Sequence, residues 1–128
     1  MAVGIVLVSH SPQLAAGLQL LAGQMAGPDV HIEPAGGGPD GGLGTSEALV
    51  REAMAQADQG EGVLLLCDLG SSILTVREIL GGNGNGHFRL VDAPFVEGAV
   101  AAAVVASSGA SLEEVARAAE EARDARKL

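Results

Sequence analysis

The residues best equipped for chemistry in this 128-residue chain are one histidine and one aspartate, each at the end of an apolar run. His10 follows Val3-Gly-Ile-Val-Leu-Val8 and Ser9, and Asp68 closes the run Gly62-Val-Leu-Leu-Leu-Cys-Asp68. An imidazole near neutral pH can serve as base, nucleophile or proton shuttle. A carboxylate on one ring nitrogen fixes the tautomer and leaves the other nitrogen basic and free to attack. Hydroxyls gather at both places, Ser9 and Ser11 around His10 and Ser71 and Ser72 after Asp68-Leu69-Gly70. Ser11-Pro12 and Gly70-Ser71-Ser72 read as helix starts, whose unpaired N–H groups attract anions. Thr45, entering a helix after a glycine-rich loop, adds one more hydroxyl. The chemistry this set points to is phosphoryl handling. His10 would attack, Asp68 would orient it, and Ser9, Ser11, Ser71 and Ser72, with the N–H groups of the two helix starts and the Thr45 hydroxyl, would hold the oxygens.

Each of these residues also has an ordinary use. A strand-end histidine is often a satisfied structural residue, serines cap helices, and Asp68 before Leu69-Gly70-Ser71 could be a turn. The joint placement of His10, Asp68 and the Gly-Ser-Ser start carries the functional reading. His31 and His87 have no such setting and are expected on the surface. No His, Cys, Asp and Glu residues recur at metal-ligand spacing, so no metal site is expected. Cys67 lies inside an apolar run and is expected to be an inert buried thiol.

The elements that must position these residues follow from pattern. The apolar runs ending at Ser9 and Asp68 are short and continuous, as strands buried on both faces are. A helix is predicted from about Pro12 to Ala26, with Leu14, Leu18, Leu21 and Met25 on one face and Gly27-Pro28 as its stop. Val30 to Glu33 predicts a short edge strand. Pro34 through Gly44, with six glycines and two prolines, predicts a long surface loop. A helix capped by Thr45 or Ser46 runs to about Ala57. Gly70 opens another that carries Ile73, Val76, Ile79 and Leu80, and Gly81 to Gly86 predicts a flexible turn. Phe88 to Val91 is a fourth strand, followed by helices over about Val96 to Ser107 and Leu112 to Arg126. Alternating strands and helices predict one α/β domain spanning residues 1–128. Its three layers comprise an open parallel sheet with helices on both faces. In such sheets ligands sit outside the carboxyl ends of the strands, where the winding reverses.

Composition removes several classes of function. A net charge of −9 argues against nucleic acid, whose phosphates are held by Lys and Arg. Aromatic residues make up only 2 %, so stacking platforms for bases are missing as well. No apolar run is long enough to cross a bilayer and no secretory signal is expected, so no membrane insertion is predicted. A single cysteine builds no disulfide framework, which fits a reducing cytoplasm. Among α/β enzymes, a receiver domain would want an acidic pair after the first strand and a late strand-end lysine. A mutase-type histidine phosphatase would want Arg-His-Gly where this chain has Ser9-His10-Ser11. No nucleophile elbow or Gly-Lys-Ser/Thr phosphate loop occurs. A flavodoxin-like site would want aromatic residues against the flavin, and this chain has no Trp or Tyr.

Taken together, Val6-Leu-Val-Ser-His-Ser11, Gly44-Thr45, Asp68-Leu-Gly-Ser-Ser72 and Ala93-Pro-Phe-Val-Glu-Gly-Ala-Val100 resemble one family. It is the mannose-type EIIA domain family of the bacterial phosphoenolpyruvate phosphotransferase system. Within it, the chain is most similar to the phosphotransfer subunit of phosphoenolpyruvate-dependent dihydroxyacetone kinase. The resemblance implies a sheet of order 2-1-3-4 and a homodimer. It further implies that His10 takes a phosphoryl group from HPr and passes it to ADP on the kinase's nucleotide-binding subunit. The carrier would need no cofactor of its own. Asp68 would orient the ring, Thr45, Gly70, Ser71 and Ser72 would line the phosphate pocket, and Pro94, Glu97 and Gly98 would be structural or partner-facing. Two segments, Gly36 to Gly42 and Gly81 to Gly86, are richer in glycine than the family pattern. HPr and enzyme I would be separate proteins. Two other readings fit the same residues: a sugar-transporter EIIA donating to an EIIB domain, and a non-catalytic sensor of phosphorylated metabolites.

Overall fold

The computed structural model describes residues 1–128. Strands and helices alternate: β1 (Gly4–Ser9), α1 (Pro12–Ala26), β2 (Ile32–Gly36), α2 (Glu47–Ala57), β3 (Val63–Cys67), α3 (Gly70–Leu80) and β4 (Phe88–Leu90). Two helices, α4 (Phe95–Ser107) and α5 (Leu112–Glu121), complete the chain before a short 3-10 turn at Ala122–Asp124. All strand pairs are parallel and the order is β2-β1-β3-β4, the order implied by the resemblance. The fold is the expected α/β sandwich, with α1, α4 and α5 on one face and α2 and α3 on the other.

The alternation inside the central strands explains why they are apolar throughout. Ile5 and Leu7 of β1, with Leu64 and Leu66 of β3, enter the core under α1, α4 and α5. Val6 and Val8, with Val63, Leu65 and Cys67, enter the core under α2 and α3. Fully burying an aliphatic side chain contributes roughly 1.5–3 kcal/mol. β1 and β3 are therefore the most firmly held strands, and the candidate residues stand at their ends. The chain winds from β1 outward to β2, then crosses back to β3, so the winding reverses between β1 and β3.

Four local expectations are corrected. β2 begins at Ile32 and runs to Gly36, so Pro34, Ala35 and Gly36 belong to the strand and not to the loop. Pro34 is tolerated because β2 is the edge strand. Gly36, paired with Ser9, is where the start of α1 comes closest. A Cβ there would lie 2.7 Å from the Pro12 Cα and from the Ser11 carbonyl oxygen. That closeness also changes the inner face of α1, which is Ala15, Leu18 and Ala22, while Leu14, Leu21 and Met25 are exposed. The small alanines let the helix sit low on the sheet and displace the larger side chains to its flank. The Gly81–Gly86 turn folds along the outer edge of β4, with Gly84 bridging Arg89 in antiparallel sense and the Leu90 N–H bonded to the Asn83 carbonyl. An otherwise open sheet edge is covered in this way. The last helix stops at Glu121, five residues short of the predicted end, because the charged tail offers no apolar residue to the core.

Candidate functional site

β1 and β3 deliver His10 and Asp68 side by side at the carboxyl edge of the sheet. The ring Nδ1 lies 3.0 Å from Asp68 Oδ1. The carboxylate is nearly covered, with 9 % of its side chain exposed against 22 % for His10. Asp68 is fixed by four further hydrogen bonds. The Ser9 hydroxyl and the His10 backbone N–H donate to Oδ2 at 2.9 and 3.0 Å, and the Leu69 N–H and Ser72 hydroxyl donate to Oδ1 at 2.7 and 3.1 Å. Burial pushes the Asp68 carboxyl up, but the bonds from His10, Ser9 and Leu69 outweigh it and hold the group below the usual carboxylate range. An ionised acceptor at Nδ1 requires the proton on that nitrogen. Nε2 is then left with its lone pair, on the side away from the acid.

The hydroxyls divide between the two sides of the ring. Ser71, exposed at the first turn of α3, touches Nε2. The backbone N–H groups of Gly70 and Ser71 have no partner within the chain, as expected of the first helical positions. Ser72 is fully buried on the other side, its Oγ 3.2 Å from Nδ1. Thr45 meets Ser72 hydroxyl to hydroxyl at 3.1 Å and so reaches the ring only through it. Ser11 uses its oxygen to cap α1, accepting from the Leu14 N–H at 3.2 Å.

Two connections tie the glycine loop to this centre. Gly37 N–H bonds the Ser9 carbonyl and Gly44 N–H bonds the His10 carbonyl, at 3.0 and 3.1 Å. Ser9 bears on the site from beneath and not as an exposed hydroxyl beside the ring. It is completely buried, its Oγ also accepting from the Ser11 N–H, and the signal for this in the sequence is a hydroxyl at the end of a strand otherwise apolar on both faces. In the late segment, Gly98 packs against Ala93, Leu66 and the Ala119 carbonyl, where a Cβ would meet atoms at 3.0–3.4 Å. Glu97 pairs with Lys127 at 2.6 Å. His31 is exposed, while His87 is half-buried and paired with Asp58 at 2.9 Å, far along the sheet from His10. Burial, and then Asp68, push the Cys67 thiol up to about 12. No group of three or more His, Cys, Asp or Glu side chains is arranged to hold a metal ion. No helix is long and apolar enough to cross a membrane.

Residues 4–116 match the family described as EIIA-man, PTS system fructose IIA component. A Listeria innocua serovar 6a protein, phosphoryl donor subunit DhaM of PEP-dependent dihydroxyacetone kinase 2, is 39 % identical over 116 residues, covering 88 % of this chain and 93 % of that one. A Lactococcus lactis subsp. lactis protein, phosphotransferase subunit DhaM of PTS-dependent dihydroxyacetone kinase, is 30 % identical over 115 residues, covering 90 % and 91 %. The Escherichia coli K12 phosphoryl donor subunit DhaM is 37 % identical over 119 residues, and the chain spans only 25 % of its length. Among solved structures, the crystal structure of EF1359, a protein of unknown function, superposes with a TM-score of 0.82 at 33 % identity, covering 94 % of this chain and 95 % of that one.

Proposed function

The chain belongs to the EIIA-man family of the phosphotransferase system, and on that premise we propose that it is the phosphoryl donor subunit of a phosphoenolpyruvate-dependent dihydroxyacetone kinase. The observation that carries the reading is the 3.0 Å contact of His10 Nδ1 with a buried, five-times-bonded carboxylate, which leaves Nε2 as the reactive nitrogen.

The donor in this proposal is phospho-HPr. The Nε2 lone pair attacks phosphorus as the P–N bond to the HPr imidazole breaks, and the His10 ring keeps its Nδ1 proton. The positive charge arising on the ring is balanced by Asp68 without proton release. Ser71, with the Gly70 and Ser71 N–H groups, supplies donors to the phosphoryl oxygens. In the second step a terminal phosphate oxygen of ADP, bound on the kinase's nucleotide-binding subunit, attacks phosphorus. The Nε2–P bond breaks, ATP forms and the ring returns to neutral. Dihydroxyacetone is then phosphorylated on the partner, making the assembly a phosphoenolpyruvate–glycerone phosphotransferase. The carrier holds no cofactor of its own, and the donor and acceptor place the reaction in the cytoplasm. Orientation and a preformed cradle suffice, because a phosphoimidazole already has high transfer potential.

The proposal includes a homodimer. In this acidic protein α1 carries no charged residue and α4 only Glu97. Leu14, Leu21 and Met25 lie on the flank of α1 opposite Gln19, whose amide bonds the Ile32 carbonyl of β2, which turns them toward α4. Val96 and Val104 are exposed on α4, away from the α5 side that Gly98 faces. A second acidic copy can approach along this seam without charge repulsion.

The test is incubation with enzyme I, HPr and labelled phosphoenolpyruvate. Acid-labile, alkali-stable label on the chain supports a carrier, and no label overturns the reading in favour of a sensor. Adding the kinase subunits should discharge the label to ADP. Discharge to an EIIB domain instead would reassign the acceptor.

A further inference from the structure

The Ser72 hydroxyl is fully buried and meets three polar groups at once: Asp68 Oδ1 at 3.1 Å, His10 Nδ1 at 3.2 Å and Thr45 Oγ1 at 3.1 Å. A hydroxyl has one proton to give and two lone pairs to fill. The carboxylate accepts only, so the Ser72 proton goes to Asp68. Its contact with Nδ1 then requires a proton on Nδ1, and its remaining lone pair requires a proton from Thr45. Thr45 is the only hydroxyl of the three, and its backbone determines whether that hydroxyl reaches Ser72. That backbone is fixed, because Thr45 bridges Gly37 and follows Gly44, and these two glycines bond the carbonyls of Ser9 and His10.

We propose that Thr45 is a positioning residue for His10. Its hydroxyl, donated to Ser72, holds the buried Ser72–Asp68 pair in the one arrangement that keeps the proton on Nδ1 and leaves Nε2 unprotonated. The glycine-rich loop thereby acts on the ring from behind, through Ser72, and not on the phosphoryl group. Without the Thr45 proton, Asp68 alone holds Ser72 in that arrangement, and a Ser72 proton turned toward Nδ1 competes with Asp68 and raises the share of the tautomer protonated at Nε2. The inference deepens the phosphocarrier reading and rests on it for its kinetic arm alone.

The experiment compares wild type, Thr45→Val, Thr45→Ser and Ser72→Ala, alone and combined with Thr45→Val. Imidazole ¹⁵N NMR, at a pH where the His10 ring is neutral, reports the tautomer. The initial rate of labelling from phospho-HPr reports function. Thr45→Val should lower the Nδ1–H fraction and slow labelling about tenfold, the scale of a lost outer partner. Thr45→Ser should restore both, and in the Ser72→Ala background Thr45→Val should have no further effect. A Thr45→Val protein with wild-type tautomer and rate overturns the proposal, as do failure of Thr45→Ser to restore them and full additivity with Ser72→Ala. Wild type that takes up no label refutes the phosphocarrier reading, and the NMR arm still decides the role of Thr45.

Discussion

At the scale of single residues, the decisive asymmetry is between the two ring nitrogens of His10. Removing the nucleophile by His10→Ala should abolish phosphoryl uptake while circular dichroism and the unfolding midpoint stay close to wild type, since Asp68 keeps its four other hydrogen bonds. Label that persists would move the phosphorylation site to His31 or His87. Asp68→Asn keeps the shape but offers Nδ1 an amide that can donate, so the ring is drawn toward the unreactive tautomer. Labelling rates should fall on the order of 10²-fold, the scale of lost positioning. Stopped-flow transfer from phospho-HPr would measure this, and an unchanged rate would remove Asp68 from the mechanism. Cys67 is adjacent in sequence yet chemically silent. With its thiol pushed up to about 12 and only 8 % exposed, it should resist a thiol-specific disulfide reagent until the protein unfolds.

At the scale of elements, the glycine-rich segments carry more structure than their composition suggests. Gly84 sits at φ +122°, and a Cβ there would fall 2.0 Å from the Phe88 carbonyl oxygen. Gly84→Ala must therefore peel the Asn83–Asn85 segment from the edge of β4. About 1–3 kcal/mol of stability should be lost, read from denaturant unfolding, while phosphoryl uptake is retained because β1 and β3 are untouched. The same logic ties α1 to the site. The start of the helix, just after His10, reaches β2 only because Gly36 has no side chain.

At the scale of the whole molecule, charge governs both association and acid stability. Leu21→Glu, introduced into the α1–α4 seam whose one charged helix residue is Glu97, should convert a dimer to a monomer in sedimentation velocity, with the circular dichroism spectrum retained because Leu21 is already 42 % exposed. A dimer that survives this change would exclude the seam. Acid stability follows from carboxyls held below their ordinary values. Asp58 is lowered first by the Gly60 N–H and then by His87, and Asp68 is lowered by its hydrogen bonds against the opposing effect of burial. A depressed folded-state pKa means stability that is complete above the unfolded value and lost as pH falls through the folded one. The denaturation midpoint should thus stay level down to about pH 5 and decline below about pH 4. Asp58→Asn should flatten part of that decline.

The chain by itself determined the fold class, the two central strands and the pairing of His10 with Asp68. Strands buried on both faces must be apolar throughout, so a polar residue at the end of one marks a reactive edge. It also carried the family resemblance, through four short segments spread over the fold. Tertiary structure alone decided which hydroxyls face Nε2 and which stand behind Nδ1. Ser71 and Ser72 are neighbours in sequence, but successive helical positions point about 100° apart, so one is exposed at the ring and the other buried beneath it. It also decided that Ala15 and Ala22, and not Leu14 and Met25, lie beneath α1. Hydrophobic spacing names a stripe, whereas the distance between helix and sheet selects which side of that stripe can fit.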